Sequence, residues 1–280
     1  MTPLPVELPE VTLCALDTRS PALALAALQR SMASIRYGRV LLFSHGGAAT
    51  AAAEGIERVD CGSIESAAAY SDFMLRRLLS WVDTSHVLVV QWDGFVADPA
   101  RWEPAFLGVD YLGAPWGKAP DGHFVGNGGF SLRSRRLLRA LQDPAFAVRL
   151  HHPEDVCIGQ TLRDELEQRH GIVFGSLGMA CRFAYENEAP AQACFGFHGM
   201  FNLPAVIGAP AFGALIEQLP ADVLSSRDGF KTARALWRTG QPALALRLLE
   251  RRAAVRPLDA RSRLLQWQCR WRATATAPHG

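Results

Sequence analysis

The chain has 280 residues, 49% of them hydrophobic and 20% charged, an ordinary balance for a folded globular protein. A domain of roughly 200 residues buries about 70% of its unfolded surface, so a core forms without disulfide or metal staples, and the length suits one or two domains. The formal net charge of +2 gives neither half the concentrated basic face of a nucleic-acid binder, so no nucleic-acid partner is expected. The amino-terminal MTPLPVELPEV has no basic segment leading into an apolar stretch. No apolar run reaches the length of about 18 residues that a membrane span needs. A cytoplasmic location is therefore expected, extending to the inner face of the membrane. Six cysteines without a CxxC pair read as buried free thiols.

In chain order, Val11–Leu16 (VTLCAL) is a short apolar run bounded by Asp17-Thr18-Arg19 and reads as a buried strand. Pro21 opens an Ala/Leu-rich helix to about Ile35, with Ser20 as its N-cap. Val40–Phe43 is a second strand, and strand-helix-strand implies a parallel pair. Val59 marks a short third strand. Ser66–Trp81 is an amphipathic helix with Tyr70, Phe73, Met74, Leu78 and Leu79 on one side. His86–Val90 is a continuous apolar strand running into Gln91-Trp92-Asp93-Gly94. Asp110–Trp116 and Phe124–Leu132 are rich in Gly and aromatics. Helical patterns return over Ser134–Leu141 and from Pro153 to about Arg169, and a strand region begins at Val173. Cys194–Phe201 is aromatic and punctuated by Gly. Helix resumes from Asp228, and the boundary near residue 205 divides the chain into 1–205 and 206–280.

Ligands of an open parallel sheet bind at the carboxyl ends of its strands. That rule puts Asp17-Thr18, Ser44-His45 and Gln91-Trp92-Asp93 on one rim. Asp93 suits a hard divalent cation, although taken alone it is more often a plain Asp-Gly turn after a strand. Gly126-Asn127-Gly128-Gly129 allows close backbone approach to a ligand, or simply a hairpin turn. Glu154-Asp155 either favours a helix dipole or supplies a general base to an acceptor hydroxyl. His198, among Gly and Phe, is a structural hydrogen-bonder or the partner of Asp93 at a metal.

In this order the segments resemble GT-A glycosyltransferases, which carry a DxD-type motif, a glycine-rich loop, an xED motif and a late histidine. QWDGFV (91–96), DYLGAPW (110–116), VGNGGFSLRS (125–134), PED (153–155) and FGFHG (195–199) resemble more closely a bacterial family, DUF5672, that looks like GT-A enzymes. The resemblance implies an α/β fold, a Rossmann-like, mainly parallel mixed sheet flanked by helices. It implies inverting transfer of a sugar from a nucleoside-diphosphate-sugar to a hydroxyl of a glycan, lipid-linked or protein acceptor. By position, Asp93 matches the second Asp of DxD and, with His198, would hold Mn2+ or Mg2+. Gln91 stands at the first Asp position and removes one carboxylate from that site. Asn127, Gly128 and Gly129 match the donor loop, and Asp17, Thr18 and Arg19 the nucleotide end. Asp155 matches the catalytic base, with Glu154 beside it toward the acceptor, and Trp116 would stack on a sugar face.

Residues 228–257 resemble one tetratricopeptide repeat, with Ala233, Gly240, Ala245, Leu249 and Pro257 at its small, glycine, packing and proline positions. One repeat cannot bury its own face. The tail therefore docks, self-associates, holds a protein partner or simply completes the fold. Its arginines are a solvated face or meet an anionic membrane. Two other functions are consistent with these residues: a nucleotide-sugar or glycan-binding module without catalysis, and a scaffold acting through the tail.

Overall fold

The computed structural model describes residues 5–46, 53–117, 122–187, 190 and 192–275, with side chains to 272. The chain forms two compact units, Met1–His198 and Gly199–Gly280.

In the first unit, β1 (Val6–Leu16), α1 (Pro21–Met32), β2 (Ile35–Ser44) and β3 (Glu57–Asp60) come first. Then follow α2 (Ala67–Asp72), which runs on through a π turn and a 3-10 turn to Trp81, and β4 (His86–Val90). β5 (Tyr111–Gly113), β6 (Ser131–Ser134) and α3 (Arg135–Ala140) lead to α4 (Glu154–Val156), α5 (Arg163–His170) and α6 (Leu177–Phe183). β7 (Ala184–Tyr185) and β8 (Gly196–Phe197) form a separate parallel pair. The main sheet has six strands in the order β3-β2-β1-β4-β6-β5. β3, β2, β1 and β4 run parallel, and β6 is antiparallel to both neighbours. This is the mixed, mainly parallel sheet flanked by helices that the sequence led us to expect.

The apolar runs become the central strands because those strands are covered on both faces. All five residues of β4 and the last six of β1 are buried. Cys14 sits in register between Leu41 of β2 and Val89 of β4. Under α2 and its continuation lies a core of Phe43, Phe73, Met74, Leu78, Val87 and Val89. Beside α3 and α5 lies a second, of Tyr111, Leu137, Phe146, Ile158 and Leu166. Burying each such side chain contributes about 1.5–3 kcal/mol.

Several local expectations are corrected. β1 starts at Val6, and Ile35 opens β2 rather than closing α1. Pro9 is accommodated at a register shift between Leu8 and Thr12, where β2 offers Gly38. The Ser20 side chain makes no capping bond. Asp17 instead closes the turn before the helix, its Oδ1 accepting from the N–H groups of Arg19 at 2.8 Å and Ser20 at 2.7 Å. The Val173 region makes a single bridge, Tyr111 to Phe174, and no strand. Of the six cysteines, all free, Cys181 is exposed.

In the second unit, α7 (Leu203–Ile207), α8 (Ala209–Gln218) and α9 (Ala221–Ser225) precede a hairpin of α10 (Arg227–Arg238) and α11 (Pro242–Val255), followed by α12 (Ala260–Ala275). Ala233, Ala245 and Leu249 are buried, and Gly240 turns the hairpin at φ +76°. α8, α9 and α12 all pack on α11, so the lone repeat-like hairpin is covered within its own unit. The division falls after His198 rather than at residue 205. The turn Met200–Asn202 packs on α10, whereas β8 still bonds to β7 and bridges Val96.

Candidate functional site

Six segments far apart in sequence line one cavity of about 470 Å3 beyond the carboxyl ends of β1 and β4. β1 brings Asp17, Thr18 and Arg19, and β4 brings Gln91 and Trp92. The glycine loop brings Asn127, Gly128 and Gly129, and the acidic segment brings His152, Pro153, Glu154 and Asp155. Ile64, Glu65, Ser66, Ala67 and Tyr70, around the start of α2, and His198 complete the set. Ser44 and His45 do not line it: Ser44 is buried under Arg58, and His45 pairs with Asp60.

Residues 91–94 form a tight turn, closed by the Gln91 N–H to Gly94 carbonyl bond (2.8 Å) and its reciprocal (3.0 Å). The turn presents Asp93 to His198, with Oδ1 3.8 Å from Nε2. The His198 ring fits closely between two glycines. A Cβ on Gly94 would lie 2.8 Å from its Cδ2, and one on Gly129 would lie 2.1 Å from its Nε2. Steric room for the imidazole, rather than a special backbone angle, requires glycine at both positions. His198 Nδ1 is 3.1 Å from Glu186 Oε1, and Nε2 is 3.2 Å from Gln91 Oε1. The Gln91 amide is oriented by its Nε2, which donates to the Tyr70 hydroxyl at 3.0 Å. Burial opposes charge on His198. Asp93 and then Glu186 outweigh it and hold the imidazole above the ordinary histidine pKa.

Asn127 Oδ1 accepts from the Gly129 N–H at 3.0 Å and fixes the loop. The Gly128 N–H donates to Asp155 Oδ2 at 3.3 Å, and the Val156 N–H donates to Oδ1 at 2.8 Å. A Cβ on Gly128 would come within 2.7 Å of Glu154 Oε1. Burial, followed by the neighbouring Glu154 charge, raises the Asp155 pKa above the usual aspartate value. The two N–H bonds and Arg133 act in the opposite sense.

Glu154 serves a different end from its neighbour. It is 6% exposed, with Oε1 accepting from the fully buried Arg133 at 3.3 Å and Oε2 from Ser71 at 3.0 Å. The carboxylate is thus the counter-ion of a buried guanidinium, and both oxygens are engaged. Arg133 also donates to Ser131 Oγ and to the Gly128 carbonyl, tying β6, the glycine loop and the acidic segment together. Thr18 is engaged too: its hydroxyl donates to the Ile64 carbonyl at 2.7 Å and accepts from the Ile64 N–H at 3.1 Å.

Trp116 lies outside this cavity. Its ring fills the space over Gly126 and Gly159, where a Cβ would lie 2.1 and 2.8 Å from it. It lines a neighbouring cavity of about 680 Å3 with Leu177, Tyr185 and Glu186. Tyr70 lines the candidate site, and Ser71, Arg133 and Glu186 bond to residues that line it; sequence reading assigned none of the four to it. An arginine inside the strand-like FSLRS was the one available signal, for Arg133.

Among the described residues, no three His, Cys, Asp or Glu side chains gather as a metal site. Glu186 bonds the opposite ring nitrogen of His198 from the one nearest Asp93. Asp93 does not itself line the cavity and lies behind His198, so the chain offers there the His198 imidazole and the Gln91 amide oxygen, with the Asp93 carboxylate 3.8 Å from the ring. That set fits a divalent ion only if a ligand supplies further oxygens. Glu186 would then hold the Nδ1 proton and leave Nε2 to the ion.

Residues 55–198, slightly over half of the chain, match the family described as "Protein of unknown function (DUF5672)". The chain belongs to this family, and the matched span contains Gln91, Asp93, the glycine loop, Asp155 and His198. No protein of curated function matches it. Among solved structures, the chain is similar to a "Crystal structure of a glycosyltransferase involved in the glycosylation of the major capsid of PBCV-1". The TM-score is 0.41 at 12% identity, over 67% of this chain and 91% of that one.

Proposed function

We propose that the first unit is a glycosyltransferase that moves a sugar from a nucleoside-diphosphate donor to an acceptor hydroxyl, with inversion. One observation carries the reading. A single cavity joins the half-buried carboxylate of Asp155 to the imidazole of His198 across the glycine loop, and the pKa of each group is raised.

The diphosphate takes the edge formed by His198, Gln91 and Asp93. The nucleotide extends toward Asp17 and Arg19. Asp155, oriented by the Gly128 N–H, accepts the proton of the acceptor hydroxyl as that oxygen attacks the anomeric carbon. The carbon–oxygen bond to the diphosphate breaks on the opposite side, and the leaving charge is met at His198. A divalent ion such as Mn2+ or Mg2+, held by Asp93 and His198 with Gln91 Oε1, would supply additional charge neutralisation. Glu154 acts indirectly, by keeping Arg133 and the loop in place.

A second reading has its own support. The raised pKa of His198 lets the imidazolium itself neutralise the diphosphate, without metal. Titration calorimetry separates the two. The metal reading expects Mn2+ to bind only with a nucleoside diphosphate present, and Asp93→Ala to abolish that dependence. Diphosphate affinity indifferent to Mn2+ leaves the imidazolium as sole counter-charge. The transferase reading itself is tested by donor turnover in Asp155→Asn and Asp93→Ala; wild-type rates in both would remove it.

A further inference from the structure

The whole-chain charge of +2 conceals an uneven division, in line with the arginine-rich tail seen in the sequence. Gly199–Gly280 carries 12 Lys and Arg and five Asp and Glu, a formal +7, which leaves −5 on the first 198 residues. The excess is concentrated on α12, which has Arg261, Arg263, Arg270 and Arg272 and no acidic residue.

At 3.6 residues per turn these arginines have a definite arrangement. Ser262, Leu265 and Cys269 form the buried stripe. On the opposite side Leu264, Trp267 and Trp271 form a second apolar stripe, exposed by 56%, 64% and 67%. Arg263 and Arg270 flank that stripe on one side, and Arg261 and Arg272 flank it on the other; all four are exposed. Between α12 and α10, Trp237, Trp267, Trp271 and Arg272 line a hollow of about 290 Å3.

We propose that this face of α12 binds the surface of an anionic lipid bilayer. Tryptophan settles at the boundary between headgroup and acyl chain, leucine enters the hydrocarbon, and flanking arginines meet lipid phosphates. An apolar centre with cationic margins on both sides suits that boundary. A nucleic-acid groove would place the cations along the line of contact and has no place for Leu264. The helix lies on the surface and does not cross: no described helix is long and apolar enough to span. The inference concerns the second unit alone and stands whether or not the first transfers sugars.

The test is co-sedimentation of the full chain with vesicles of phosphatidylcholine alone or with about 30 mol% phosphatidylglycerol. The wild type is expected to bind the anionic vesicles, weakly or not at all the neutral ones, and less as salt rises. Trp267→Ser with Trp271→Ser is expected to weaken binding at least about tenfold. Arg261→Gln with Arg263→Gln should weaken it about fivefold for each arginine removed. All four side chains are solvent-exposed, so unchanged melting temperatures are expected. Quenching of wild-type tryptophan by lipids brominated near the headgroup provides a reading that needs no variant. Absence of binding, equal binding to neutral vesicles, or full binding by the tryptophan variant overturns the proposal. So does tighter binding to single-stranded RNA than to the anionic vesicles. A vesicle-free dimer dispersed by the tryptophan substitutions would instead assign the stripe to a second copy of the chain.

Discussion

Asp155 and Glu154 are adjacent yet differ in environment, and the difference sets their roles. Glu154 is saturated by Arg133 and Ser71, while Asp155 keeps a raised pKa through burial and then through Glu154. A carboxyl whose folded pKa exceeds its unfolded one favours the fold when protonated. That contribution is complete at pH values below the unfolded pKa and is lost as pH rises through the folded one. At neutral pH the Asp155 carboxylate therefore costs stability. Asp155→Asn should raise the melting temperature, by about 2–4 °C per kcal/mol relieved, while lowering transfer about 10²–10⁴-fold. Calorimetry and an activity assay on one preparation check both. The acidic limb of the wild-type rate profile should lie above the usual aspartate range, because Asp155 must lose its proton to act as base. The buried pair behaves differently: Glu154→Gln leaves Arg133 without its counter-ion and should cost about 3–5 kcal/mol in denaturant unfolding. Asp155 and His198 were legible in the sequence because each sits in a short motif. Glu186 was not, since it meets His198 from 12 positions upstream, from a polar loop whose path no periodicity fixes.

Among the elements, the buried strands were the easiest to read. β4 is an unbroken apolar run because both faces are covered, and β1 was found from the same signal. The first residues of β1 escaped notice because Pro9 reads as a strand breaker, and only the register shift opposite Gly38 accommodates it. Val173 misled in the other direction: its N–H is taken by the Asp110 carboxylate at 2.8 Å, so the segment is held by a side chain rather than by a strand. The turns after strands contribute most to the site. The 91–94 turn and the glycine loop bracket His198, and both glycines are needed for steric reasons. Gly129→Ala should therefore displace the imidazole. We expect at least about a tenfold loss of nucleoside-diphosphate affinity by calorimetry, since an atomic misplacement of about 1 Å can cost two orders of magnitude.

For the molecule as a whole, the two units divide the chain's properties: the candidate chemistry is in the acidic first unit, and the basic second unit carries the exposed tryptophan stripe. The helical tail was visible as a repeat-like pattern. The arginine enrichment of the tail was visible in the sequence as well; the opposite net charges of the two units followed once the unit boundary was known. Saturation with the right donor, at about 100 times its Kd, should stabilise the first unit by about 2.7 kcal/mol, equivalent to about 5–10 °C. If the units melt separately, only the first transition should move. A binding module without catalysis would give this shift as well, so turnover decides. The most direct measurement is chromatography of nucleoside diphosphate released from a panel of nucleotide sugars, comparing the wild type with Asp155→Asn. We predict release from at least one donor by the wild type and almost none by the variant. No release from any donor, or equal release by both proteins, would contradict the assignment of Asp155 as the base of a glycosyl transfer.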